Sequence, residues 1–172
     1  MAQANFDTIM RHILRHEGGY VDHPRDPGGA TNMGITFAVL QEWRGHPITK
    51  DDVKHLRQSE ALDIYYANYW EPTHCSELPF GVDYVMMDGA VNSGTRRSAK
   101  WIQSVVGVAV DGSVGPRTLA AIEQHNPKKV IEAALDRRVA FLQRLSTWPT
   151  FGRGWLNRVT SVRNVATAMA EE

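Results

Sequence analysis

The sequence predicts a mainly α-helical fold, two helical lobes with one small β-hairpin near residues 20–36. Three observations carry that prediction. Apolar residues recur at helical spacing along most of the 172-residue chain. Strand-like sequence is scarce outside residues 20–36. Glycine or proline punctuates the ends of the periodic segments.

Phe6, Ile9, Met10, Ile13 and Leu14 recur at i, i+3, i+4, i+7 and i+8, the stripe of an amphipathic helix facing a core. Asn5 suits its N-cap and Gly18-Gly19 its stop, with Arg11 and Arg15 leaning outward. The hairpin region runs to Gly34-Ile35-Thr36, where Thr36 suits the N-cap of the next helix. Further on, a hydrophobic staple from Ile48 to Val53 encloses a capping pair from Thr49 to Asp52. Ser59 is expected to cap a helix through Leu62, Ile64, Tyr65, Tyr66 and Tyr69 to Trp70, ended by Pro72. Residues 73–79 read as a connector.

Phe80 to Val91 then forms a helix with Val82, Val85, Met86 and Met87 in the core, closed by Gly94. Trp101, Ile102, Val105 and Val106 suit a short buried helix before Asp111-Gly112 turns the chain. Pro116 takes the first position of the next helix, where its missing N–H costs nothing, with Leu119 and Ile122 inward. Pro127 opens a long helix carrying Val130, Ile131, Ala134, Leu135, Val139, Leu142 and Leu145. Residues 148–155 read as a final loop before a terminal helix through Val159, Val162 and Val165.

Glu17 is the first candidate functional residue. It lies three and four residues beyond Leu14 and Ile13, so it prolongs the apolar face while standing at the helix C-terminus. Lost hydration and the partial negative charge of the last carbonyls both oppose a charged carboxylate there, as a general acid requires. The alternative is a structural Glu bonded to the loop backbone. Asp22 follows five residues after Glu17 and Asp26 nine, before Thr31 and Asn32. Breaking a glycosidic bond takes an acid for the leaving oxygen and a second group that stabilises positive charge or orients water. A Glu at a helix end with an Asp and a Thr on a hairpin can converge on one bond. Asp26-Pro-Gly is equally ordinary turn chemistry.

His16-Glu-Gly-Gly-Tyr20 together with Asp26-Pro-Gly-Gly-Ala-Thr-Asn-Met-Gly-Ile-Thr36 resembles the signature of glycoside hydrolase family 108, lysozyme-like muramidases of bacteria and phages. The resemblance implies a lysozyme-like fold and an endolysin-type enzyme that hydrolyses the bond between N-acetylmuramic acid and N-acetylglucosamine. It implies Glu17 as the catalytic acid. By likeness to the phage-type order of Glu, Asp and Thr, it implies Asp26 and Thr31 as its partners, although Thr31 falls one position short of that spacing. Asn92-Ser-Gly94, Trp101-Ile-Gln103 and Val110-Asp-Gly-Ser-Val-Gly-Pro-Arg-Thr-Leu119 are similar to the companion peptidoglycan-binding region. Residues 1–92 are therefore expected to form the catalytic region, with the binding region at 93–172 packed against it. Peptidoglycan glycan strands are the implied partner, the chain is expected to be a monomer, and no metal or organic cofactor is implied.

Sugar faces stack on aromatic rings while polar groups fix orientation. Tyr20, Asn32, Asn92 and Trp155 are the residues expected to touch glycan, and Asn92 reads equally as a plain helix-end residue. Trp148, Phe151 and Trp155 suit a cleft rim or core packing, and Tyr65, Tyr66, Tyr69 and Trp70 suit helix packing. Arg153, Arg158 and Arg163 form a basic stripe that reads as a solvated face, with contact to the wall or outer membrane as the alternative. A second function class rests on His12 and His16 at i, i+4, with His23 or Asp22 as a third zinc ligand, in a peptidoglycan amidase or peptidase. The metalloprotease motif, however, places its Glu directly after the first His, and here Glu17 follows the second. A wall-binding protein without catalysis is the third reading.

Nineteen basic and nineteen acidic side chains cancel, so bulk charge does not suggest a nucleic-acid partner. The single Cys75 cannot form an internal disulfide, which suits a reducing cytoplasm, and a small buried thiol is its expected role. The opening residues lack a secretory apolar region, and no apolar run is long enough to insert in a bilayer. Synthesis in a host cytoplasm and action on periplasmic peptidoglycan are expected, with release through holin lesions implied by the family likeness.

Overall fold

In the computed structural model, which describes residues 2–22 and 29–172, the opening amphipathic stripe forms helix α1 (Ala2–Glu17). Phe6, Ile9, Met10 and Ile13 are buried and Leu14 is half-buried. The helix begins before its expected cap. Asn5 lies inside it and its Nδ2 donates to Asp83 Oδ2 at 3.4 Å. Gly18 ends the helix as expected, with φ +74° and its N–H donating to Leu14 O at 3.1 Å.

Strands β1 (Val21–Asp22), β2 (Ala30–Asn32) and β3 (Ile35–Thr36) form an antiparallel sheet in that order. The expected hairpin is its β2–β3 half. Thr31 stands opposite Val21 on one side and Thr36 on the other. Thr36 caps α2 (Phe37–Arg44), its Oγ1 accepting from Val39 N at 3.2 Å. Helix α3 (Lys50–Lys54) carries the full Thr49–Asp52 capping box, and Ile48 and Val53 are buried beneath it. Helix α4 (Gln58–Tyr65) starts ahead of Ser59, because Ala61 N already donates to Arg57 O at 3.1 Å. It widens into a π turn at Tyr66–Trp70, and the Trp70 indole N–H donates to Ser76 Oγ at 2.8 Å.

Contacts divide the chain into two compact units. The first is Phe6–Asn68. Its core gathers Ile9, Ile13, Ala30, Ile35, Leu40, Val53 and Ile64, each Ile, Leu or Val side chain contributing roughly 1.5–3 kcal/mol by leaving water. Phe6 meets Tyr66 edge-on at 5.1 Å. Arg44 grips Glu60 with two parallel bonds of 3.1 and 2.7 Å, which hold the Glu60 carboxyl below its usual range.

The second unit takes the N-terminal residues through Asn5 together with Tyr69–Glu172. Helix α5 (Val82–Ser93) is its axis, packed on α6 (Thr95–Val106), α8 (Pro127–Gln143) and α9 (Trp148–Met169). Residues 82–90 are all buried, Asp83 and Asp88 among them, so α5 is covered on every side by its neighbours. At Gly89 a Cβ would strike Ser98 Oγ, so the backbones of α5 and α6 meet closely there, and Ser98 Oγ donates to Met86 O at 2.8 Å. Helix α7 (Pro116–Glu123) starts with its proline, as read from sequence.

Two expectations change in this unit. Arg138 is fully buried in α8, whereas neighbouring Val139 is half-buried. Residues 148–155 form the first two turns of α9 rather than a loop, because the Trp148 indole covers Gly152 at a spacing that leaves no room for a Cβ.

Asp88 explains the buried arginine. Its Oδ2 accepts from Arg138 at 2.8 Å, and its Oδ1 accepts from Arg158 at 3.0 Å. Burial alone would raise the Asp88 carboxyl, but the two guanidinium groups hold it below the ordinary carboxylate range. Arg163 likewise pairs with Glu132 and Asp136. Two of the three stripe arginines therefore serve ion pairs, and Arg153 is exposed. Cys75 is buried as expected, and burial pushes its thiol far up. Among the described residues, no helix is long and apolar enough to cross a membrane.

Candidate active site

Glu17 is the last residue of α1 and is half-buried, so part of its side chain remains accessible. The β2–β3 hairpin brings a second backbone against it. Asn32 pairs with Ile35, which leaves Met33-Gly34 as a two-residue loop. Both loop residues have positive φ, 52° and 78°, the geometry whose twist matches paired strands. Glycine takes that conformation freely; for Met33 it costs on the order of 1–2 kcal/mol. The Tyr65 hydroxyl holds the strained turn by donating to Met33 O at 2.7 Å.

Gly34 is also where the site closes. A Cβ there would lie 3.0 Å from Glu17 Oε2 and collide with Tyr65 Oη. The carboxylate of α1, the hairpin backbone and the α4 tyrosine thus bear on one point. A carboxyl group fixed on one side and accessible on another can pass a proton to a bound substrate.

The other residues singled out in the sequence are placed as follows. Tyr20 is 36% exposed between α1 and β1. Thr31 is half-buried on the central strand, on the face opposite buried Ala30 and Asn32. Asn32 turns inward, and its Nδ2 donates to Val53 O at 3.0 Å and Lys54 O at 3.1 Å, satisfying the C-terminal carbonyls of α3. Its amide nitrogen is therefore committed to joining β2 to α3. Asp26 lies outside the described residues, as does His23.

Asn92 and Trp155 belong to the second unit. Asn92 Oδ1 accepts from Arg138 at 3.2 Å, and Trp155 is half-buried against Phe151 and Trp148, with ring centroids 5.7 and 6.2 Å away. Asp22 pairs with Lys50 at 3.2 Å. Among the described residues, no three His, Cys, Asp or Glu side chains group closely enough to hold a metal ion.

Sequence reasoning missed Gly34 and Tyr65 as parts of the site. The Met33-Gly34 pair between short strand-like segments was a usable turn signal. Tyr65 carried none, since its spacing reads as helix packing and only the fold brings it to the turn.

The family described as "Glycosyl hydrolase 108" matches residues 10–94, which contain Glu17 and the hairpin. A solved structure described as Brucella abortus SagA is similar at 46% identity and a TM-score of 0.91. The likeness covers 99% of this chain and 98% of that one. The chain belongs to the glycosyl hydrolase 108 family. Like other members of that family it has a lysozyme-like fold and is a glycosidase that acts on peptidoglycan. A second match, to the family described as "Predicted Peptidoglycan domain", covers residues 97–160. These family boundaries differ from the division by contacts, in which Tyr69–Gly94 folds with the peptidoglycan-binding region. Among curated proteins no match is found.

Proposed function

We propose that this family 108 glycosidase is an N-acetylmuramidase that cleaves the bond between N-acetylmuramic acid and N-acetylglucosamine, with Glu17 as its general acid. The observation that carries this reading is the close approach of half-buried Glu17 to the Gly34 turn, which Tyr65 braces, inside the glycosidase-matched segment. Glu17 protonates the glycosidic oxygen as the C1–O bond breaks, and water then completes hydrolysis at C1. Asp26, helped by Thr31, stabilises the oxocarbenium-like state or orients that water. Tyr20, three residues after the acid in sequence, supplies an exposed ring for glycan, and Asn92 and Trp155 are the glycan contacts proposed within the second unit. Asn32 contributes by holding β2 in place. An endolysin role, with access to periplasmic wall through membrane lesions, belongs to the same proposal and rests on sequence likeness to phage muramidases.

The test is digestion of purified sacculi followed by mass spectrometry of the new reducing ends. Reducing N-acetylmuramic acid is expected; reducing N-acetylglucosamine or freed peptides would overturn the muramidase reading. Glu17→Gln is expected to lower the rate by about 10²–10⁴-fold while leaving the circular dichroism spectrum unchanged. A variant with near-full activity would remove Glu17 from its role. EDTA is expected to leave the rate unaltered, whereas the zinc amidase reading requires its loss.

A further inference from the structure

The loop between α6 and α7 carries a motif that the proposed reaction does not use. Buried Gln103 of α6 clamps it. The Gln103 Nε2 donates to Asp111 Oδ1 at 3.0 Å, Ser113 O at 2.9 Å and Thr118 Oγ1 at 3.2 Å, while its Oε1 accepts from Gly112 N at 2.9 Å. A loop so held keeps its shape without a ligand. It borders a cleft of about 810 Å³, within the range of small-ligand sites.

The cleft has aliphatic walls from Val108, Ala109, Val114 and Pro116, and two opposite charges, Asp111 and Arg117. Asp111 Oδ1 is occupied by Ser113 N–H and Gln103, and Oδ2 has no hydrogen-bond partner among the described residues. Neither Asp111 nor Arg117 takes part in a side-chain ion pair among the described residues; Arg96, whose Nη2 donates to Asp111 O at 3.0 Å, is the cation nearest in effect to the Asp111 carboxylate. None of the residues lining the cleft is aromatic, so it offers no ring for a sugar face.

Peptidoglycan has a second component besides glycan. Its stem peptide presents alanine methyl groups, free carboxylates and, in diaminopimelate-type walls, a free amine beside a carboxylate. We propose that the cleft bounded by residues 108–118 binds the diaminopimelate-containing stem peptide, with a carboxylate on Arg117, the amine on Asp111 and methyl groups on the aliphatic walls. This rests on peptidoglycan being the substrate. It gives the second family match a ligand distinct from the glycan cleaved at Glu17.

The experiment is calorimetric titration of the full chain with the free tetrapeptide L-Ala-γ-D-Glu-meso-diaminopimelyl-D-Ala, beside peptide-free glycan strands. The tetrapeptide is expected to bind. Arg117→Glu is expected to weaken it about tenfold or more through loss of a charge-assisted contact. Ala109→Trp, which fills the cleft without altering either charge, is expected to weaken it similarly. Circular dichroism checks that both variants are folded. No binding of the tetrapeptide, or equal binding by the wild type and both folded variants, overturns the proposal. Release of soluble fragments from sacculi is followed in parallel. Sacculi dissolved with the tetrapeptide unbound sink the cleft alone, whereas sacculi left intact with the tetrapeptide bound sink the muramidase reading and leave the cleft standing.

Discussion

At Gly34 a hydrogen atom stands where any other residue would put a carbon 3.0 Å from Glu17 Oε2 and against the Tyr65 hydroxyl. Gly34→Ala therefore meets both a left-handed backbone, φ +78°, and a clash. The variant is expected to lose roughly 2–4 kcal/mol of stability in urea unfolding. Its activity on sacculi is expected to drop by about tenfold or more if Glu17 is the acid, because a misplacement of about 1 Å can cost a reacting group 10²-fold in rate. Tyr65→Phe removes the donor to Met33 O and is expected to cost about 1 kcal/mol, with a smaller loss of rate. Unchanged activity in both variants would show that the turn does not position Glu17. At this scale Glu17 and Gly34 were visible as letters of one motif. Tyr65 was not, since nothing near it in sequence refers to residue 33.

Most helix starts that depend on neighbours in sequence were legible, Asn5 and Ser59 being the exceptions. Thr36, the Thr49–Asp52 box, Pro116 and Pro127 all cap or open helices as read, because a cap bonds within its own first turn. Thr36→Ala is expected to cost about 1 kcal/mol by thermal unfolding, the usual worth of such a cap. Helix faces set by a distant partner were less legible. In α8 the apolar period pointed to Val139, yet the helix buries Arg138 because Asp88 waits for it on α5. Asp88→Asn removes the carboxylate that pairs with buried Arg138 and half-buried Arg158 and is expected to destabilise by roughly 3–5 kcal/mol in urea. The double variant Asp88→Leu with Arg138→Met is expected to recover part of that loss. A single variant as stable as the wild type would show that the cluster is not a structural tie.

For the whole molecule, stability should depend on pH through two buried carboxyls with opposite signs. Burial pushes Asp83 up to about 7, although Gly81 and Tyr84 N–H groups donate to it at 2.9 and 2.8 Å. Between the unfolded value near 3.8 and about 7 the folded state holds a proton that the unfolded state has released. Stability from this group is therefore present at acid pH and falls by up to about 1.4 kcal/mol per unit as pH rises through that window. Asp88 acts in reverse. Its lowered carboxyl contributes above the ordinary carboxylate range, and that contribution is lost as pH falls below it. Unfolding curves from pH 4 to 8 for the wild type and Asp83→Asn check the first term: the wild type should lose stability relative to the variant as pH rises. Parallel curves would refute it. The sequence by itself determined the helical class, most caps and the family, and singled out Glu17 as the proposed acid, because periodicity, capping and a contiguous motif are all short-range records. Only the tertiary structure decided that Tyr65 and Gly34 confine Glu17, that Asn32 ties β2 to α3, and that Asp88 draws Arg138 inward. Each of those joins groups far apart along the chain, and burial can place a charge or an amide only where folding has already brought its partner.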